Sequence, residues 1–130
     1  MVDDLRLERI LRAVEGIPEG QVATYGTIGK IVGESPRVVG NVMARWGSNV
    51  PWWRVVNARG EIPGHHHRVR EHWEREGLLG PAHETGQETP SDGTLRVRLS
   101  NVAADVVILT ANFERAVEDL PSDAASDSYS

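Results

Sequence analysis

With 130 residues and 14.3 kDa, the chain has the size of one ordinary domain, able to bury a single core without covalent staples. It contains no cysteine, which excludes disulfides and thiolate nucleophiles and leaves a reducing compartment, the cytosol, as the expected location. The acidic start Met1-Val2-Asp3-Asp4 is unlike a signal peptide, no apolar run approaches the ~20 residues of a membrane helix, and the net charge of -5 argues on average against a nucleic-acid partner.

In chain order, Leu7, Ile10, Leu11 and Val14 recur at helical spacing and predict an amphipathic helix from about Asp4 to Glu15. Gly16 and Pro18 stop it, and Pro18-Glu19-Gly20 is turn chemistry. A short helix is predicted over Tyr25 to Val32, with Gly33 as its C-terminal cap. Ser35 as N-cap and Pro36 at the first helical position open a third helix, running to about Arg45 and burying Val38, Val39, Val42 and Met43. Two short helices around Gly33-Glu34-Ser35 outline a helix-turn-helix, a pattern that many helical domains also contain.

Gly47-Ser48-Asn49 leads into Pro51-Trp52-Trp53-Arg54-Val55, with Val55 and Val56 extended and Asn57-Ala58-Arg59-Gly60 a turn. His66 to Glu76 reads as a helix with Val69 and Trp73 inward and Gly77 past its end. Residues 81–93 read as a loop, and Leu95, Val97 and Leu99 alternate with polar residues as in a half-buried strand at about 94–99. Val102 to Leu109 suits helix or strand, a helix is predicted at about 111–120, and residues 121–130 read as a disordered acidic tail.

Charge is unevenly distributed. Between Gln21 and Gly60 stand Lys30, Arg37, Arg45, Arg54 and Arg59 against Glu34 alone, whereas the C-terminal stretch carries Glu114, Glu118, Asp119, Asp123 and Asp127 against Arg115. A basic middle between acidic flanks permits a local nucleic-acid footprint. His65, His66, His67 and His72 invite a metal reading, but consecutive histidines point apart and His67 and His72 miss an i, i+4 spacing by one, so no metal and no cofactor is expected.

Several ordered pieces resemble the C-terminal domain of O6-alkylguanine-DNA alkyltransferases. Ile17-Pro18-Glu19-Gly20-Gln21-Val22 is similar to the turn before that family's helix-turn-helix, followed by Thr24-Tyr25-Gly26, Ile28-Gly29 and a recognition-helix stretch, Arg37-Val38-Val39-Gly40-Asn41-Val42-Met43. Pro51-Trp52-Trp53-Arg54-Val55 resembles the Pro-Cys-His-Arg-Val active-site motif, and Glu76-Gly77 the Glu-Gly that closes the family's last helix. Arg54 and Val55 fit the frame while both chemical positions are indoles, so the chain looks like an alkyltransferase-like protein.

The resemblance implies a mainly α fold with a small β element, a winged helix-turn-helix-like body over residues 1–80, with residues 81–120 as an extension packed on it. It implies non-enzymatic recognition of O6-alkylguanine in duplex DNA, by a helix-turn-helix in the minor groove that turns the nucleotide into a pocket. Thr24, Tyr25, Gly26, Ser35, Arg37, Gly40, Asn41 and Arg45 are the implied DNA contacts. Arg37 matches the finger that replaces the flipped base and Tyr25 the tyrosine that turns the nucleotide. The implied lesion pocket takes Tyr25, Val50, Pro51, Trp52 and Val55, with His65 or Arg68 in the loop after the motif. Trp53 is expected to pack, Arg54 to tie the motif to neighbouring backbone, and Glu76 to serve as a helix-end carboxylate or a structural acceptor.

An indole supplies no nucleophile at neutral pH, so alkyl transfer at position 52 is excluded by chemistry. The family also implies nucleotide-excision-repair proteins as partners, no membrane partner, a monomer, and association with the nucleoid if the source is bacterial. Two other readings compete: a helix-turn-helix regulator without lesion specificity, and a degenerate member kept as a protein-interaction module. The turn between Gly33 and Arg37 is shorter than the family's usual loop, and Asn49 is the one candidate for the asparagine that links the recognition helix to the motif.

Overall fold

The computed structural model describes residues 4–62, 66–78 and 96–120, without the side chains of His66 and His67. Helix α1 (Asp4–Glu15) buries Ile10 and Val14 completely, with Leu7 and Leu11 half-buried beside them, the face that the i, i+3, i+4, i+7 spacing predicts. Helix α2 (Tyr25–Val32) starts at Thr24, whose hydroxyl accepts from Thr27 N at 3.0 Å, and ends at Gly33 in the left-handed region at φ 79°. Helix α3 (Pro36–Trp46) starts at Ser35, whose Oγ accepts from Val38 N at 3.2 Å.

The turn between α2 and α3 is held from outside. Arg6 on α1 donates from Nε and Nη2 to the two oxygens of Glu34, each at 2.6 Å, a bidentate pair that fixes the turn against the first helix. The helix pair therefore has its angle set by α1 as well as by its own packing.

After α3 the chain makes two single helical turns, Gly47–Asn49 and Trp52–Arg54, and enters strand β2 (Val55–Val56). β2 pairs in parallel with β1 (Ala23–Thr24), Ala23 opposite Val55 and Thr24 opposite Val56. This pair lies between two apolar cores. Val55 and Ala23 enter the one formed by α1, α2 and α3, while Val56 and Val22 enter the one holding Ile62, Val69, Trp73, Leu78 and Val97. Successive residues of extended chain point to opposite faces, so Val22 and Ala23 on one side and Val55 and Val56 on the other join the cores.

Helix α4 (His66–Glu76) closes the second core with Trp73, 0% exposed, whose Nε1 donates to the Trp53 carbonyl at 2.7 Å. The short helix α5 (Leu99–Val102) and helix α6 (Val106–Ala116) return the chain to the first core, where Ala104, Leu109 and Phe113 pack among α1 and α2 residues. Backbone bonds from Val22 N to Val102 O and from Ala104 N to Val22 O tie this return to the edge of β1.

The mainly α fold with a small β element is as expected, with three corrections. Residues 96–98 form no strand and Leu99 opens α5, so the half-buried strand expected at about 94–99 is replaced by a segment in which Val97 alone is buried. The helix expected at about 111–120 begins at Val106, capped by Asp105, and ends at Ala116. The stretch that suited helix or strand is resolved accordingly: Leu109 and Phe113, one turn apart, both face the core. The loop expected over 81–93 and the tail over 121–130 lie outside the described residues.

Candidate functional site

A cleft of about 390 Å³ opens between α3 and the segment carrying the Trp-Trp motif. Its lining comprises Gly40, Met43 and Ala44 of α3, Gly47 and Ser48 of the following turn, and Tyr25, Trp52, Ile62 and Arg68. Gly40, Met43, Ala44 and Gly47 stand at i, i+3, i+4 and i+7, so the last two turns of α3 and its C-cap present mostly small residues to one side. This spacing was visible in the sequence. Of the four, Met43 was expected in the core, against which it is half-buried, and Gly40 among the DNA contacts.

Trp52 is half-buried at the cleft, held by the turn that Pro51 opens. Its ring meets Trp53 edge-on at 5.9 Å and His72 edge-on at 5.4 Å, and the Arg68 guanidinium carbon lies 6.0 Å from its centroid. The cleft thus combines an indole face, a cation beside it, and a phenol. Burial pushes the Tyr25 hydroxyl up from its ordinary pKa, so it stays protonated and able to donate.

Trp53 does not border the cleft. Its indole stacks on His72 with centroids 3.9 Å apart and planes 4° from parallel, and its Nε1 donates to Glu76 Oε2 at 2.6 Å. Glu76 also accepts from Arg54 Nη2 at 2.8 Å and from Gly20 N at 3.0 Å. Burial pushes this carboxyl up, but the donors Arg54, Gly20 and Trp53 outweigh it and hold Glu76 below the usual carboxylate range. Arg54 in turn donates to the Ile17 carbonyl at 3.0 Å. One carboxylate therefore joins α4, the motif and the turn before β1, and both expected roles of Arg54 and Glu76 are structural.

Burial, followed by the charge of Arg75, holds the His72 imidazole below its ordinary pKa. Arg75 Nη2 lies 2.7 Å from His72 Nδ1, which must accept because guanidinium has only donors. Among the described residues no three histidine, aspartate or glutamate side chains converge on a metal position.

The residues expected to contact DNA divide into two groups. Arg37, Asn41 and Arg45 are exposed at i, i+4 and i+8 along α3, beside the cleft face of the same helix, with the Arg45 guanidinium 6.0 Å from the ring of Trp46. Thr24 and Ser35 use their hydroxyls as helix caps, Gly26 is half-buried at the start of α2, and Gly40 belongs to the cleft lining.

Of the expected pocket residues, Tyr25, Trp52 and Arg68 border the cleft. Val50, Pro51 and Val55 do not: Val50 and Val55 are buried in the first core, and Pro51 is half-buried as the residue that opens the motif turn. The helical turn Trp52–Arg54 carries the Trp52 ring to the cleft, while Val50 before it and Val55 after it enter the first core. His65 lies outside the described residues. Met43, Ala44, Gly47, Ser48 and Ile62 were not expected in the pocket.

Residues 6–79 match the family described as 6-O-methylguanine DNA methyltransferase, DNA binding domain. The DNA base-flipping protein of Escherichia coli (strain K12) is 48% identical over 60 residues, 42% of this chain and 46% of that protein, so the match spans about half the length of that relative. Alkyltransferase-like protein 1 of Schizosaccharomyces pombe is 37% identical over 79 residues, 54% of this chain and 73% of that protein. The fold is similar to the crystal structure of Schizosaccharomyces pombe Atl1 in complex with damaged DNA containing O6-carboxymethylguanine, with a TM-score of 0.66 and 30% identity, covering 81% of this chain and 99% of that one.

Proposed function

The chain belongs to the 6-O-methylguanine DNA methyltransferase family through its DNA-binding domain, in the alkyltransferase-like form with tryptophan at the acceptor position, and from that premise we propose that it recognises O6-alkylated guanine in duplex DNA without removing the alkyl group. The observation that carries this reading is the cleft bordered by Trp52, Tyr25 and Arg68 directly beside the Arg37-Asn41-Arg45 row of α3. A base inside the stack hides its modified edge. The protein must extrude it, at a cost of a few kcal/mol that is smallest for damaged or mispaired bases.

In this mechanism α3 enters the minor groove, Arg37 takes the place of the departing base with its planar guanidinium, and Tyr25 presses on the neighbouring phosphate. The nucleotide then lies in the cleft, its alkyl group against the apolar indole face of Trp52 and its ring beside the Arg68 cation. With an indole at position 52, and Trp53 bonded to Glu76 where the family places its histidine, neither of the family's two chemical positions supplies a nucleophile or a base. Binding is reversible and passes the signal to other proteins, for which nucleotide-excision-repair components are the proposed recipients.

The test is a comparison of the dissociation constants for one duplex with a single O6-methylguanine and for the same duplex with guanine. Tighter binding to the modified duplex, with the methyl group still on the DNA after incubation, is the expected result. Equal affinities sink the reading, and strong preference among undamaged sequences would favour a helix-turn-helix regulator instead.

A further inference from the structure

Residues 96–98 lie beyond the region that matches the family, yet the chain fastens them to it beside the cleft. Val97 N donates to Gly60 O at 2.9 Å, and Val97, 3% exposed, packs in the second core with Ile62, which borders the cleft. Gly60 has φ 82°, and a Cβ there would collide with the Val97 carbonyl, so this close approach of two backbones requires glycine.

The turn that Gly60 closes is tightly held. Asn57 N donates to Glu61 O at 2.8 Å, Gly60 N donates to Asn57 O at 2.9 Å, and Asn57 Oδ1 accepts from Arg59 N at 2.9 Å and Glu61 N at 3.0 Å. A rigid turn thereby presents Arg59 to solvent, and Arg96 and Arg98 are exposed on either side of buried Val97. Glu61, the carboxylate among them, is paired: Arg96 Nε donates to its Oε2 at 2.8 Å. Among the described residues, Arg59, Arg96 and Arg98 stand around one carboxylate, Glu61, which Arg96 neutralises, a local basic excess on a chain of net charge -5.

We propose that Arg59, Arg96 and Arg98 form a second phosphate-binding patch, built jointly by the turn after β2 and by the segment beyond the family domain, that grips the DNA backbone on the Ile62 bank of the cleft. The proposal rests on the lesion-recognition reading for where the duplex lies. Extruding one nucleotide leaves backbone running past both banks of the cleft, and α3, with Arg37 and Arg45, serves one bank only. Arg59 and Arg98 bind phosphate directly, while Arg96 removes the repulsion that Glu61 would otherwise exert.

Each phosphate neutralised releases condensed counterions and steepens the salt dependence of binding by about 0.9 in log–log slope. Dissociation constants of the full chain are measured against sodium chloride concentration, on the guanine duplex and on the O6-methylguanine duplex. Arg59→Ala/Arg98→Ala is expected to flatten the slope by about 1.8 on both duplexes, leaving the ratio between them unchanged, and Arg59→Lys/Arg98→Lys is expected to keep the slope. An unchanged slope in the alanine variant overturns the proposal. Arg96→Ala is expected to weaken binding and Arg96→Ala/Glu61→Ala to restore it; a loss that persists in the double variant overturns the neutralising role of Arg96. Absence of lesion preference in the unmutated chain would sink the lesion reading alone, because the slope is also read on the guanine duplex.

Discussion

The indole Nε1 of Trp53 lies 2.6 Å from Glu76 Oε2, so the residue at the family's histidine position gives its one polar hydrogen to the carboxylate that would partner that histidine. Arg54 and Gly20 N complete the ring of donors around a carboxylate whose side chain is 3% exposed. Here these hydrogen bonds tie α4, the motif and the turn before β1 together.

Glu76→Gln removes the counter-charge of Arg54, itself 14% exposed, and is expected to lower unfolding free energy by about 3 kcal/mol, measured by urea denaturation at pH 7. The pH dependence follows from the depressed folded-state pKa of Glu76. Its contribution is complete above the unfolded carboxyl pKa and is lost as pH falls through the folded value, so the acid-side decline in stability should be shallower in Glu76→Gln than in the unmutated chain.

Trp52→Cys restores a thiol but no base, because Trp53 is bonded to Glu76 and carries no proton acceptor. Single-turnover assays with labelled O6-methylguanine duplex are expected to show no methyl transfer by this variant. Adding Trp53→His places an imidazole beside Glu76, and any transfer should appear only in the double variant. Efficient transfer by Trp52→Cys alone would contradict this account.

Arg37 is exposed at the start of α3, so Arg37→Ala should leave thermal stability within about 0.5 kcal/mol of the unmutated chain. Binding to the O6-methylguanine duplex is expected to weaken by about tenfold, or about 1.4 kcal/mol. A fluorescence-anisotropy titration reads the change, and an unchanged dissociation constant removes its finger role.

Gly40 tests the cleft wall. A Cβ at this helical position would meet no atom within 4 Å, so Gly40→Ala should raise stability by about 0.8 kcal/mol through helix propensity. Gly40→Leu extends into the cleft and is expected to weaken binding of the O6-methylguanine duplex while the protein stays folded. Circular dichroism melting and the same anisotropy titration separate the two effects.

Much of the fold was legible locally. α1, α2 and α4 take the predicted bounds because apolar spacing and the stop signals Gly33 and Gly77 act within a few residues, and α3 runs one residue past its predicted end. The β1–β2 pairing was not legible, since two-residue strands carry no periodicity of their own. Nor was the form of residues 96–99: Leu95-Val97-Leu99 alternates like a strand in the sequence, but among the described residues no strand pairs with 96–99, and Val97 N instead donates to Gly60 O.

The candidate site divides along the same line. The sequence by itself determined that position 52 carries no nucleophile and that helix caps fall at Gly33 and Ser35, because these depend on residue type and short-range spacing. Only the tertiary structure decided that Val50 and Val55 turn into the core while Met43, Ala44, Gly47, Ser48 and Ile62 border the cleft, and that Trp53 faces Glu76 rather than the cleft. Those placements depend on which side of the β1–β2 pair each residue falls and on α4 docking through Trp73, contacts between segments far apart in the chain that short-range spacing does not encode.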